Sequence, residues 1–105
     1  VVVFIEEGAG SIIFLDSQIR CHPGQWFHLV YSRDENGTHF IYINSDRVLS
    51  SSANQPDTGT LSFLNLGVYP SDIQDFTGFL SSVKIFDTAL TPEQIRKIKN
   101  SVLGT

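Results

Sequence analysis

The chain has 105 residues, 41% hydrophobic and 17% charged, with a formal net charge of −4; that is one domain of chain at most, and neither a disordered acidic tail nor a coiled coil. Seven basic against eleven acidic residues argue against a footprint on a nucleic-acid backbone, which needs a basic face, and no apolar run approaches the ~20 residues of a membrane span. A single cysteine excludes an internal disulfide framework and a Cys-rich zinc site.

The opening Val1 to Glu7 has neither the basic flank nor the cleavage site of a signal peptide. Val1 to Glu6 is a β-branched and aromatic run closed by Gly8-Ala9-Gly10, and Ser11 to Asp16 is a second such run. Together they predict a hairpin. Cys21-His22-Pro23-Gly24 predicts a turn, since Pro fixes φ and Gly accepts positive φ. Gln25 to Arg33 carries Trp26, His28 and Val30 on one face and Phe27, Leu29 and Tyr31 on the other. Both faces are largely apolar, so a strand covered on both sides is expected, with Trp26 and His28 inside. Asp34-Glu35-Asn36-Gly37 is a turn signal in which Asn-Gly supplies left-handed geometry. His39 to Asn44 returns as the antiparallel partner. The 50–59 stretch, rich in Ser and containing Asn54, Pro56 and Gly59, is expected to be a loop. Leu61 to Val68 predicts a strand, Tyr69 to Asp75 a polar loop, and Phe76 to Phe86 a last long strand with a change of parity between Leu80 and Val83.

A helix follows. Thr91 is the expected N-cap, Pro92 the first helical residue and Gln94 the third, a capping box with Pro where its missing N–H costs nothing. Leu90 and Ile95 would staple its start, and Ile95, Ile98 and Val102 would share one face. Arg96, Lys97 and Lys99 are expected toward its C-terminal end, where the helix dipole favours them. Gly104 would help to stop it. The sum is an all-β architecture, an antiparallel β-sandwich of jelly-roll type with one short C-terminal helix.

Two segments resemble the concanavalin A-like jelly roll of laminin-G-like and pentraxin-like domains. The first runs from Gly24-Gln25-Trp26-Phe27-His28-Leu29-Val30 through Gly37 to Phe40-Ile41-Tyr42-Ile43-Asn44. The second runs from Leu64-Asn65-Leu66-Gly67 through Phe76-Thr77-Gly78-Phe79-Leu80 and Val83-Lys84-Ile85-Phe86-Asp87 to Leu90-Thr91-Pro92-Glu93-Gln94-Ile95. Ser45 departs from the family, which usually has a turn glycine after Asn44, and Ser81-Ser82 stand where many members have an acidic pair. By the resemblance, residues 1–105 form one partial sandwich domain lacking N-terminal strands, which the same polypeptide or another chain would supply.

The resemblance implies a non-catalytic, extracellular or cell-surface recognition module that binds glycan or protein ligands through loops at the sandwich rim. Tyr69 is the candidate stacking surface, with Asn54, Gln55 and Asp57 as polar helpers. The 69–75 loop also offers carboxylate oxygens of the kind calcium needs. By resemblance to calcium-binding rims Asp72 and Asp75 are the candidate Ca2+ ligands, against the competing reading of a solvated loop.

Catalysis has less support. A glycosidase needs two carboxylates flanking the scissile bond. Glu6, Glu7, Glu35 and Glu93 do not form the alternating acidic strand of the glucanase branch, so an enzyme reading would require catalytic residues outside this segment. Cys21 beside His22 is read as a turn with a half-buried thiol rather than a nucleophile. His22, His28 and His39 lack metal-ligand spacing. Asn36-Gly37-Thr38 is an N-glycosylation sequon at a hairpin tip. The alternative function is a structural piece of a larger assembly, its open edges completed by strand addition.

Overall fold

The structure is a computed structural model that describes the backbone of residues 2–7 and 11–16 and the complete residues 17–52 and 78–104. Five strands and one helix lie in these segments. β1 (Val2–Glu7) and β2 (Ser11–Asp16) pair antiparallel with Phe4 opposite Phe14, the hairpin that two β-branched runs around a Gly-rich triplet dictate. β3 (Leu29–Arg33), β4 (His39–Ile43) and β5 (Asp46–Ser51) form a second antiparallel sheet in the order β3-β4-β5. β2 approaches β5, which brings the two sheets together.

The β3–β4 connection is built by Asp34. Its backbone carbonyl accepts from Gly37 N at 3.0 Å, and its carboxylate Oδ1 accepts from Asn36 N at 2.9 Å and Thr38 N at 3.0 Å. An Asp side chain at the start of a turn does this by mimicking a backbone acceptor. Gly37, with φ of 80°, is the left-handed residue; Asn36 is not, so the left-handed role falls on the glycine alone.

β5 departs from expectation. A two-residue connection, Asn44-Ser45, turns Ile43 directly onto Asp46. Both residues have positive φ, 51° and 68°, as tight hairpin turns of the primed type require. Glycine is the usual solution because a side chain in this region costs about 1–2 kcal/mol. Ser45→Gly is therefore expected to stabilise the fold by about 1 kcal/mol, the relieved strain less the flexibility glycine adds to the unfolded chain. A urea midpoint that stays put or falls would show that Ser45 is not strained.

The core of the described residues sits on β4. Ile41 and Ile43 are buried, with Cys21, Phe27, Val48 and Leu49 packed against them. Cys21 is the free, half-buried thiol expected of the 21–24 turn, and Gly24 closes that turn with φ of 81°.

α1 (Pro92–Leu103) starts as its sequence dictates. Gln94 N donates to Thr91 Oγ1 at 3.2 Å and Thr91 N donates to Gln94 Oε1 at 2.9 Å, a complete capping box with Pro92 behind it. The helix runs past the basic cluster, so Arg96, Lys97 and Lys99 lie in its middle and its last turn holds no basic residue. The expected dipole contribution is absent because it falls off within one turn of the terminus. Lys97 instead reaches Glu93 one turn earlier at 3.8 Å, an exposed pair worth a few tenths of a kcal/mol at most. Ile95 is buried, Ile98 is half-buried and Val102 is exposed, so the shared apolar face narrows along the helix.

Two more expectations are corrected. β3 begins at Leu29 rather than Gln25, and Trp26 before it is 59% exposed instead of lying inside a covered strand. Within residues 78–86 no strand forms; Phe79 is 84% and Ile85 74% exposed, with Leu80, Val83 and Phe86 also open to solvent. The β1–β2 hairpin, the three-stranded antiparallel sheet and the C-terminal helix match the β-rich part of the expected fold. The expected strand at 61–68 lies outside the described residues.

Candidate functional site

Tyr69, Asn54, Gln55 and Asp57, the candidate ligand residues, and Asp72 and Asp75, the candidate calcium ligands, all lie outside the described residues. Among the described residues no group of three or more His, Cys, Asp or Glu side chains is placed to hold a metal. The site that the described residues do build lies elsewhere, where the β4–β5 turn meets the start of α1.

That site is a shallow, open cleft of about 480 Å³ lined by Tyr42, Ser45, Asp46, Arg47 and Pro92. The β4–β5 register sets Tyr42 opposite Arg47, and a bulge between Ile41 and Tyr42 offsets the ladder there. Bulges re-aim side chains at the ends of sheets. The Arg47 guanidinium lies 5.5 Å from the Phe40 ring centroid, close enough for a cation–π contact that holds a long, flexible side chain in one place. Phe40 and Tyr42, two residues apart on one face, meet at 6.4 Å with their rings tilted by 41°. Sequence reasoning passed over this site. Its signal was present in Ser45 standing where the family has glycine, with Asp46-Arg47 directly after it.

The turn is anchored from behind. Asn44 N donates to the His28 carbonyl at 2.8 Å, and His28 N donates to Asn44 Oδ1 at 2.9 Å. This reciprocal pair extends the β3–β4 pairing by one residue and fixes the first residue of the turn. His28 itself is half-buried, and its Nδ1 has no hydrogen-bond partner among the described residues. Burial, and then the positive charges of Lys84 and Lys99, lower its pKa from 6.5.

The sign of the resulting pH dependence follows from linkage. The unfolded chain takes up the His28 proton at higher pH than the folded chain. Stability is therefore full above 6.5, is lost as the pH falls from there to the lowered folded value, and is level below it. Melting followed between about pH 8 and pH 5, spanning the histidine range, should show this decline in the parent chain. His28→Gln should remove its share of the slope. An unchanged slope in the variant would mean that another group carries it.

His39, the first residue of β4, is buried. Tyr31 Oη and His39 Nδ1 lie 2.8 Å apart, and the two rings stack with centroids 6.0 Å apart. A buried imidazole whose ring nitrogen meets a phenol is a satisfied core group. Asn36, at the sequon, is exposed at the tip of the β3–β4 hairpin.

A laminin G family model, described as the concanavalin A-like lectin/glucanases superfamily, matches residues 2–96. The chain belongs to that superfamily. Among solved structures it is similar to an S-layer domain-containing protein (residues 221–444) from Clostridium thermocellum ATCC 27405, with a TM-score of 0.67 at 19% sequence identity. The match covers 86% of this chain and 45% of that one, so this chain spans less than half of the solved neighbour. At such identity the likeness is one of fold. No curated protein matches the chain significantly. No helix among the described residues is long and apolar enough to cross a membrane.

Proposed function

We propose that the chain is a non-catalytic recognition module of the concanavalin A-like superfamily, working at the cell surface or outside the cell and binding glycan or protein ligands. The observation that carries this reading is the family match across residues 2–96. The hydrogen-bonded β3-β4-β5 sheet is a scaffold of the kind on which connecting segments perform recognition. Under this reading Tyr69, Asn54, Gln55 and Asp57 contact the ligand and Asp72 and Asp75 hold Ca2+. The test is binding to a broad glycan array with calcium and with a chelator. Saturable signal that weakens in chelator, and in an Asp72→Asn/Asp75→Asn double variant, is expected. Absence of signal across the array under both conditions would overturn the glycan form of the proposal.

A second reading, an assembly piece completed by further strands from the same polypeptide or another chain, is favoured by the exposed apolar series from Phe79 to Phe86. Exposed apolar surface marks association sites, and open sheet edges are completed by strand addition. The solved neighbour is an S-layer domain-containing protein, which accords with a role in assembly. Phe79→Ser/Ile85→Ser should then abolish self-association or co-purification while leaving the monomer's melting point nearly unchanged. A parent chain that is monomeric and captures no partner would sink this reading.

A further inference from the structure

The β3–β4 turn carries chemistry that the recognition reading does not use. Three asparagines of the chain precede a small residue: Asn36-Gly37, Asn44-Ser45 and Asn100-Ser101. We infer that Asn36 is the site at which this chain deamidates, and that Asp34 is the residue that restrains the reaction.

The reaction needs only water. The backbone N of the residue after Asn loses its proton and attacks the side-chain carbonyl carbon Cγ. The N–Cγ bond forms, the Cγ–Nδ2 bond breaks, and Nδ2 takes up a proton and leaves as ammonia. Water then opens the cyclic imide at either carbonyl, giving aspartate or isoaspartate. Nothing is oxidised or reduced. A following glycine favours the attack, since it has no Cβ to obstruct the nitrogen and reaches backbone angles closed to other residues. Asn36 alone is followed by glycine, and it is exposed. It hydrogen-bonds through its backbone N rather than its carboxamide. Asn44 Oδ1, by contrast, is held by His28 N at 2.9 Å. Asn100 lies within α1, where the next backbone N is committed to the helix ladder.

The folded turn opposes the step that its sequence invites. Gly37 N, the attacking atom, donates to the Asp34 carbonyl at 3.0 Å, and Gly37 is buried, so its proton is held and shielded from solvent base. The Asp34 carboxylate accepts from Asn36 N at 2.9 Å and Thr38 N at 3.0 Å, which fixes the main chain on both sides of the Gly37 nitrogen. The negative charges of Asp34 and Glu35 also oppose the anionic nitrogen that the attack requires. Attack therefore waits for the turn to open, and such local opening has its own free energy, set by the contacts that close it. The product in turn undoes the closure. Either acid adds a negative charge beside Asp34 and Glu35, and isoaspartate also lengthens the main chain by one carbon before Gly37. The Arg33–His39 pairing next to the turn loses its support.

The test is incubation of the parent chain in mildly alkaline buffer, folded and in urea, followed by peptide mass mapping and an isoaspartyl methyltransferase assay. Fragment spectra of the tryptic peptide 34–47 separate Asn36 from Asn44. Conversion at Asn36 is expected before Asn44 and Asn100, and about tenfold or more slower in the folded chain than in urea, the worth of one hydrogen bond to a charged group. Asp34→Ala should speed the folded-state reaction by about the same factor. Asp34→Asn, which keeps one acceptor oxygen for the two backbone N–H groups, should fall between the parent and Asp34→Ala. Thermal melts report whether each variant folds; if Asp34→Ala does not, Asp34→Asn and the parent with and without urea carry the comparison. Asn36→Gln should remove the product from that peptide. Conversion first at Asn44 or Asn100, equal rates folded and in urea, no product at Asn36 in either condition, or a folded Asp34→Asn no faster than the parent would each overturn the inference. None of these outcomes bears on the glycan-array test of the recognition reading.

Discussion

Replacing Ile41 by alanine is expected to cost about 3–4 kcal/mol, toward the upper part of the 2–5 range for large-to-small changes in a core. Three observations place it there. Ile41 is completely buried. It lies in the central strand of the three-stranded sheet, opposite Tyr31 on one side and Leu49 on the other. It also joins Ile43 in the cluster that holds Cys21, Phe27, Val48 and Leu49, so truncation opens a gap that two flanking strands cannot close without breaking their register. A domain of this length has only about 5–15 kcal/mol in total, so the variant would sit near the edge of folding. Ile41→Val, which removes one methylene, should cost about 0.5–1.5 kcal/mol. The measurement is urea unfolding, read as a midpoint shift at constant slope. Equal effects from Ile41→Ala and from Val48→Ala, a half-buried neighbour, would show that the core is not centred on β4.

The parts of this fold that were legible in the sequence are those set by local chemistry. Thr91, Pro92 and Gln94 specify the start of α1 within four residues, and the structure reproduces each hydrogen bond they imply. The β3–β4 hairpin is legible for the same reason, because Asp34 and Gly37 act on neighbouring backbone. β5 was missed because its residues, Asp46-Arg47-Val48-Leu49-Ser50-Ser51, place two apolar side chains side by side rather than alternating. The bulge between Ile41 and Tyr42 accounts for that, since one extra residue switches the face. Ser45 concealed the turn before β5 by standing where glycine would have announced it. The exposure of Trp26 and of the 79–86 residues is a property of tertiary packing, which alternation within a segment does not encode. The candidate ligand and calcium residues came from family resemblance to loop positions, and loops vary more than the scaffold that carries them. The cleft at Tyr42, Ser45, Asp46, Arg47 and Pro92 joins residues about 45 positions apart in the chain, so no spacing rule applied to one stretch would find it.

The second large effect is expected at Ile95. It is the one buried residue of α1 and is fully inaccessible, while the rest of the helix surface is exposed or half-buried. A twelve-residue helix is marginal in water by itself and owes most of its stability to docking. Ile95→Ala is therefore expected to cost about 2–4 kcal/mol, with a consequence different from that of Ile41→Ala. The loss should fall first on the helix, which frays or undocks before the sheet melts, because local units open with their own free energies. Hydrogen exchange should show the backbone amides of α1 that follow Pro92 losing protection while those of β3, β4 and β5 keep theirs. The neighbouring Val102→Ala, at an exposed position, should change stability by less than about 0.5 kcal/mol. Uniform loss of protection across sheet and helix in Ile95→Ala would mean instead that α1 and the sheet form one cooperative unit. Pro92 sits at the head of this helix and lines the cleft, so undocking α1 should also open the cleft, even though Ile95 is not among the lining residues.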